Sequence, residues 1–474
     1  MTSRTGSRRL KAVTLSLSIA TAMAATAAQA APEDQQTIEA LRAQLQQMQQ
    51  RLDRLEQQQA STRQGSARST SASQGSQNGN NVQAQSNQNT GNSTRQSGGG
   101  QQVANSEGRT QSGVPSTMEE NQSAIEQLQQ TRIGGTLELS THFDDWNEGS
   151  RDRAGDMDFG KFILTVDGEV NDIPYSMEYR FYDGYQFLHH GWVGYNASDE
   201  DTFQLGLVQS PFGSSEFGYM GWYGNLPYYM GFADNQNAGL KWEHDAGKWT
   251  SSLAFFKNSQ LGTGNEHYGT NPVPEGDQDN RAVNQLAGRL GYTFGYDTDY
   301  STELAISGRG GQFYNDTTND SGDNWATALS LNGKYGNWST LLQATHYEYH
   351  AKNPTGVSLD TVQVGSFGGN WLIPATAQIY SASLGYDMDV NWGPFSSVTF
   401  FNDYSYVSPD GDYDFAGNGG SIQDPQLNDL GMLLSADPFY VWFDIVTGKN
   451  ALGFIGPADD QWHTSIQSNF GVTF

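Results

Sequence analysis

From Ile133 to Phe474 the chain alternates between apolar and polar residues with a period of two, and it does so while carrying full charges on the polar parity. In the last such segment Ile466, Phe470, Val472 and Phe474 oppose His463, Ser465, Gln467, Asn469 and Thr473. In the first, Leu137 and Leu139 oppose Thr136, Glu138, Ser140 and His142. Phe162, Leu164 and Val166 oppose Lys161, Thr165, Asp167 and Glu169, and Tyr175, Met177, Tyr179 and Phe181 oppose Ser176, Glu178, Arg180 and Tyr182. Side chains alternate across a strand, so each segment presents one apolar and one polar face. Sixteen segments follow this pattern, separated by Gly, Asn, Asp and Pro: 134–142, 159–169, 174–183, 189–196, 202–209, 238–245, 249–257, 286–295, 300–309, 324–335, 338–349, 376–388, 395–405, 428–436, 439–447 and 463–474. No helical period is evident here, so this region is expected to hold strands and no helices.

A soluble sandwich hides its apolar faces between two sheets, whereas a membrane barrel turns them to lipid and keeps the polar faces inside. Ionised groups at this density cannot pack into a dry core. Many segments also have the length that a tilted strand needs to cross a bilayer. Aromatics gather at strand ends, as in Tyr175, Trp192, Phe203, Trp249, Trp325, Trp338 and Trp392, which suits interfacial girdles. The reading is an all-β chain: a transmembrane antiparallel β-barrel of about 16 strands, preceded by a short periplasmic coiled-coil helix and a disordered linker.

Residues 1–30 read as a secretory signal peptide: Arg4, Arg8, Arg9 and Lys11, an apolar run, then Ala28-Gln29-Ala30. Residues 31–59 read as a coiled-coil helix, with a seam of Ile38, Leu41, Leu45, Met48, Leu52 and Leu55 that needs a partner to bury it. Residues 60–132 are a Ser, Gln, Asn and Gly linker with a helical patch at its end, and 133–474 is the barrel domain.

Charge and chemistry exclude other classes. The chain has 25 Lys and Arg against 52 Asp and Glu, for a formal net charge of -27. No basic surface is available for nucleic acid. There is no Cys, hence no disulfide, thiol nucleophile or Cys metal site. No catalytic constellation and no cofactor motif stands out, and no metal site is expected. The neighbours His189 and His190 should point to opposite faces of a strand, and His346 and His350 should lie roughly 13 Å apart. Acidic turns such as Asp144-Asp145 and Asp459-Asp460 are oxygen-rich enough to hold Ca²⁺ loosely but read as solvated loops of a protein suited to high salt.

The block Phe159-Gly160-Lys161-Phe162, with Tyr175-Ser176-Met177-Glu178-Tyr179, resembles the opening strands of the phosphate-selective porin O and P family. Gln204 to Gln209, followed by Ser210-Pro211-Phe212-Gly213, resembles that family's Gly-x-x-Lys-x-Pro-Phe-Gly signature, with Gln209-Ser210 where the Lys usually stands. The resemblance implies a passive outer-membrane channel for small hydrophilic solutes or ions, a homotrimer in outer-membrane lipid, and a third external loop folded inward as a constriction. The connection after the fifth strand is that loop, with Pro211, Phe212, Gly213, Glu216, Tyr219, Trp222, Tyr223 and Tyr228 as constriction candidates. The terminal Phe474 resembles the assembly signal read by the barrel-assembly machinery of Gram-negative bacteria.

Strand parity makes Lys161, Arg180, Lys241, Arg289 and Arg309 channel-lining candidates, together with Glu138, Asp167, Glu169, Glu178, Glu243 and Glu303. Acids outnumber bases, so weak cation preference is expected. The alternatives are an anion- or phosphate-selective channel of the same fold and a secreted β-rich binding protein.

Overall fold

The computed structural model describes residues 131–214, 217–262, 264–410 and 424–474. The expected leader and coiled coil, and all but the end of the linker, lie outside the described residues. The elements in chain order are β1 (Arg132–Asp144), α1 (Glu148–Arg153), β2 (Asp156–Val170), β3 (Ile173–Phe181), β4 (Gln186–Asn196), β5 (Asp201–Gln209), α2 (Leu226–Tyr229), β6 (Gln236–Ala246), β7 (Trp249–Asn258), β8 (Asn271–Pro272), β9 (Asn280–Phe294) and β10 (Tyr300–Asn315). They continue as β11 (Ser321–Tyr335), β12 (Trp338–His350), β13 (Thr361–Ser366), β14 (Gly369–Pro374), β15 (Thr376–Trp392), β16 (Phe395–Pro409), β17 (Gln426–Ala436), β18 (Phe439–Lys449) and β19 (Trp462–Thr473).

Sixteen of these strands close into one antiparallel barrel in the order β1-β19-β18-β17-β16-β15-β12-β11-β10-β9-β7-β6-β5-β4-β3-β2. They correspond one to one to the sixteen alternating segments. The remaining three, β8, β13 and β14, form a small separate sheet within the loops. Two short helices correct the expectation of none. Each has a local cause: Asn147 and Asn225 cap α1 and α2 by accepting from the backbone N–H of Ser150 at 3.2 Å and of Tyr228 at 3.1 Å.

The seam joins first strand to last. Thr136 pairs with Thr473, and Gly135 and Phe474 exchange two backbone hydrogen bonds of 2.9 Å. Closure leaves no unpaired backbone edge, the condition hydrocarbon imposes. At one end, next to both ends of the barrel chain, the connections are tight: 171–172, 197–200, 247–248, 336–337, 393–394 and 437–438. The opposite end carries the long connections 210–235, 259–279, 351–375 and 450–461.

The polarity is inverted relative to a soluble protein. Leu205, Leu240, Leu253, Leu286, Ile306, Leu329, Leu384 and Phe470 are exposed on the outside, while Glu138, Lys241, Ser307, Gln343, Asp403, Asp429, Asp444 and Asn469 are buried on the inside. Trp249, Trp338, Trp392, Tyr300 and Phe439 are exposed beside the short turns, where an aromatic girdle belongs. Trp192 does not join them: it packs against Val208, Ala254, Phe256 and Ala287. The reason is a β-bulge in β4, described below, that shifts the parity of every residue after it.

Candidate functional site: an inward loop and its wall

The connection 210–235 leaves β5 and returns to β6, but between these points it runs along the inner wall of the barrel. Gly213 begins the run. Its backbone sits at φ +75°, and a Cβ there would meet Gln343 Oε1 at 2.4 Å, so both conformation and space require glycine. The Gly213 N–H donates to Ser307 Oγ at 2.8 Å, and its carbonyl accepts from Arg289 Nε at 2.9 Å and Ser330 Oγ at 3.1 Å. The Ser214 N–H donates to Gln343 Oε1 at 2.8 Å, and Gln343 Nε2 donates to the Phe232 carbonyl at 3.1 Å. These contacts bind the loop to β10, β9, β11 and β12.

The tip reaches farther. Asp403 accepts from the backbone N–H groups of Met220, at 2.9 and 3.1 Å, and Gly221, at 2.6 Å. The Trp222 N–H donates to Asp444 at 3.3 Å, its indole donates to Glu138 at 3.1 Å, and the Leu226 N–H donates to Ser405 at 3.0 Å. Backbone N–H groups that would be stranded away from water are thus satisfied by acids and a hydroxyl projecting from β16 and β18, while Glu138 of β1 takes the indole.

An aromatic packing layer fills the space behind the loop. Phe212 lies near Phe232, Tyr219 meets Tyr228 edge to face, and Tyr229 stacks on Phe454 at 4.0 Å. The Tyr223 hydroxyl donates to the Phe454 carbonyl at 3.3 Å. Pro211, Phe212 and Tyr228 are buried, and Trp222 is half-buried. Burial pushes the phenols of Tyr219, Tyr223 and Tyr228 up, and it pushes the Asp234 carboxyl, which accepts from the Tyr268 hydroxyl, up to about 6. Glu216 lies outside the described residues.

The channel-lining candidates fall on the wall, and four of the five bases are matched to acids from the same set. Arg289 holds Glu303 with two hydrogen bonds of 2.9 and 2.6 Å. Lys161 lies 3.4 Å from Glu138 and 5.0 Å from the Trp222 ring. Arg180 pairs with Glu178 at 2.5 Å, and Lys241 with Glu243 at 3.0 Å. Arg309 instead donates to the Gly231 carbonyl at 2.7 Å and lies 4.4 Å from the Phe232 ring. Asp167 accepts from Ser176 Oγ at 2.6 Å, and Glu169 is exposed near the short-turn end. Lys161, Arg289 and Arg309 therefore serve as struts for the loop as well as wall charges. Toward the short turns, a cavity of about 820 Å³ is lined by Thr202, Gln204, Glu243, Arg289, Glu303 and Lys334 among others.

Sequence parity missed Asp403 and Asp444 as loop seats, because register between distant strands is not written in any one strand. It also misplaced one histidine pair. His189 and His190 both face inward, since β4 carries one extra residue where Glu178 pairs with His190 but Tyr179 pairs with Leu188. Their Nδ1 atoms lie 2.8 Å apart, and with Glu178 they form a group able to hold a metal ion. His346 and His350 lie on one side of β12 with Glu348 between them, at 3.5 and 3.1 Å.

No family model matches the chain, and no curated protein sequence does. Solved structures with a similar overall arrangement include the outer membrane channel DcaP of Acinetobacter baumannii, 11% identical, with 73% of this chain and 97% of that chain covered and a TM-score of 0.48. OprB of Pseudomonas putida is 9% identical over 76% of this chain and 98% of that one, with a TM-score of 0.47. An anion-selective porin from Comamonas acidovorans is 12% identical over 73% of this chain and 99% of that one, with a TM-score of 0.45. The likeness is one of fold, and it does not single out phosphate-selective channels. The chain is a sixteen-stranded antiparallel β-barrel that resembles diverse Gram-negative outer-membrane porins.

Proposed function

We propose that this protein is an outer-membrane porin giving passive diffusion of small hydrophilic solutes or ions through a water-filled channel. The observation that carries this is the inverted polarity of a closed barrel: an apolar exterior band over a charged interior, narrowed from within by residues 210–235. A secreted binding protein would leave Leu205, Leu253, Ile306 and Leu329 in water, an apolar surface that soluble proteins avoid. The test is planar-bilayer recording of the purified protein. Discrete conductance steps are expected; their absence in correctly folded protein would remove the proposal.

Finer features extend it. The barrel works as a homotrimer, a state supported by the porin resemblance of the sequence together with the seam spacing from Ile38 to Leu55, which calls for a partner helix, and mass measurement in mild detergent tests that. Its N-terminal helix lies in the periplasm, and the exposed C-terminal Phe474 is the element the assembly machinery engages. The channel prefers cations weakly. Four of the five wall bases are matched by acids, and Asp167 and Glu169 add two further carboxylates to the same wall. Reversal potential under a KCl gradient reads this preference, and current block by micromolar phosphate would favour the anion-selective alternative.

A further inference from the structure

We propose that Glu178, His189 and His190 form a binding site on the inner wall for a divalent transition-metal ion with tetragonal preference, Cu²⁺ or Ni²⁺. The bulge in β4 is what builds it. A regular strand would send the two imidazoles to opposite faces, but the extra residue turns both inward, beside Glu178 on β3. One candidate ligand atom from each of the three residues lies within 4.8 Å of the other two.

The surrounding hydrogen bonds prepare the nitrogens. Ser176 Oγ donates to Asp167 at 2.6 Å, so the lone pair of that oxygen faces His190 Nε2 at 2.8 Å. His190 Nε2 therefore carries the ring proton, and Nδ1 is left with its lone pair directed at the site. An outer acceptor on the second ring nitrogen fixes the tautomer of a ligand histidine, and here the Ser176 hydroxyl, oriented by Asp167, is that acceptor. In the ion-free site the lone pair of His190 Nδ1 accepts the His189 Nδ1–H at 2.8 Å. A bound ion displaces that proton to His189 Nε2, which is buried without a hydrogen-bond partner, and Nδ1 becomes the second ligand.

The spacing favours one geometry over the other. The two nitrogens stand 2.8 Å apart as hydrogen-bond partners in the ion-free site, close to the separation that puts them at about 90° around an ion bonded to each at roughly 2.0 Å, as in a square or octahedral site; a tetrahedral ion would need them to part to roughly 3.3 Å. Arg180 pairs with Glu178 and offsets its charge, which leaves little attraction for Ca²⁺ or Mg²⁺, ions that take oxygen ligands. Tyr268 covers His189 from one side with ring centroids 4.0 Å apart, while half-buried His190 gives access.

The experiment uses the untagged full chain in detergent, stripped with chelator and titrated with Cu²⁺ alone, read by metal analysis and electron paramagnetic resonance. The expected result is one Cu²⁺ per chain with coupling to two imidazole nitrogens, unaffected by excess Ca²⁺. Glu178→Gln and His190→Gln should each weaken binding by about tenfold or more, and His350→Gln should leave it unchanged. Heat-modifiable migration establishes that each variant is folded. If His190→Gln does not fold, the nitrogen coupling of the wild-type spectrum decides alone. Failure to retain Cu²⁺ at micromolar free ion, coupling to fewer than two imidazoles, or undiminished binding by folded His190→Gln would each overturn the site.

Discussion

The carboxylate of Asp403 accepts the backbone N–H of Gly221 at 2.6 Å, from a loop that starts on the strand half-way round the barrel from its own. Asp403 projects from β16 and the loop leaves from β5, so the contact spans the interior. Hydrogen bonds to a charged acceptor contribute about 1.5–3 kcal/mol each. Asp403→Ala should free the tip, increase open-channel noise and raise mean conductance. Asp403→Asn, which keeps an acceptor, should do so less. Single-channel recording of both variants checks the order.

Removing the tip altogether is the stronger perturbation. Deletion of residues 219–228 takes out Trp222, Tyr223 and Tyr228 and all the contacts to Asp403, Asp444 and Ser405. Conductance should rise. Unchanged conductance in a folded barrel would mean that this segment does not set the narrowest point.

Arg289 neutralises Glu303 and also holds Gly213. Arg289→Gln should leave a wall carboxylate uncompensated and increase the cation-to-anion permeability ratio by about twofold, the scale expected for one partly screened charge. Adding Glu303→Gln should return the ratio toward wild type. Reversal potentials of the single and double variants separate the charge effect from loosening of the loop.

Acid should loosen the cap on the long-loop side through His267. Burial lowers this imidazole from 6.5 to about 4, and its Nδ1–H donates to the Gly269 carbonyl at 2.8 Å. The folded loop prefers the neutral ring. Its contribution is therefore complete above the unfolded value of 6.5 and is lost as pH falls through about 4. Limited proteolysis within 259–279 should accelerate between pH 6.5 and 4. In His267→Asn that acceleration should be reduced, with more cutting already at neutral pH.

At the seam, a Cβ on Gly135 would lie 2.6 Å from the Ile163 carbonyl and 2.8 Å from the Phe474 ring. Gly135→Val should therefore cost about 1–3 kcal/mol and lower the temperature at which the barrel loses its folded electrophoretic migration. Thr136→Val, next along the strand, should have a smaller effect.

The strands were legible because a lipid-facing wall forces strict alternation: each of the sixteen segments holds a barrel strand. Their outer ends were not. Gly310-Gly311 interrupts the pattern in β10, which nevertheless runs to Asn315. The small sheet of β8, β13 and β14 lies within loops, where no bilayer imposes a period. The inward loop showed itself by its aromatics, since Phe212, Tyr219 and Tyr228 need cover that an external loop lacks. Its seats did not, because Asp403 and Asp444 are brought to it by barrel closure. One extra residue in β4 explains both inside-outside errors, at Trp192 and at the neighbouring histidines: parity is a running count, and a bulge resets it.

The tip of residues 210–235 rests half-way round the ring from its root, and on the way the segment ties down strand after strand of the wall. It is an inner hoop rather than a fringe at the rim. Lateral pressure from the bilayer or from neighbouring barrels that would flatten the cylinder must also break the contacts this hoop makes to β9, β10, β11, β12 and β16. The contact between Gly221 and Asp403 joins residues 182 apart in sequence. The hoop can be seated only once β16 has arrived, which makes its docking a late event in assembly.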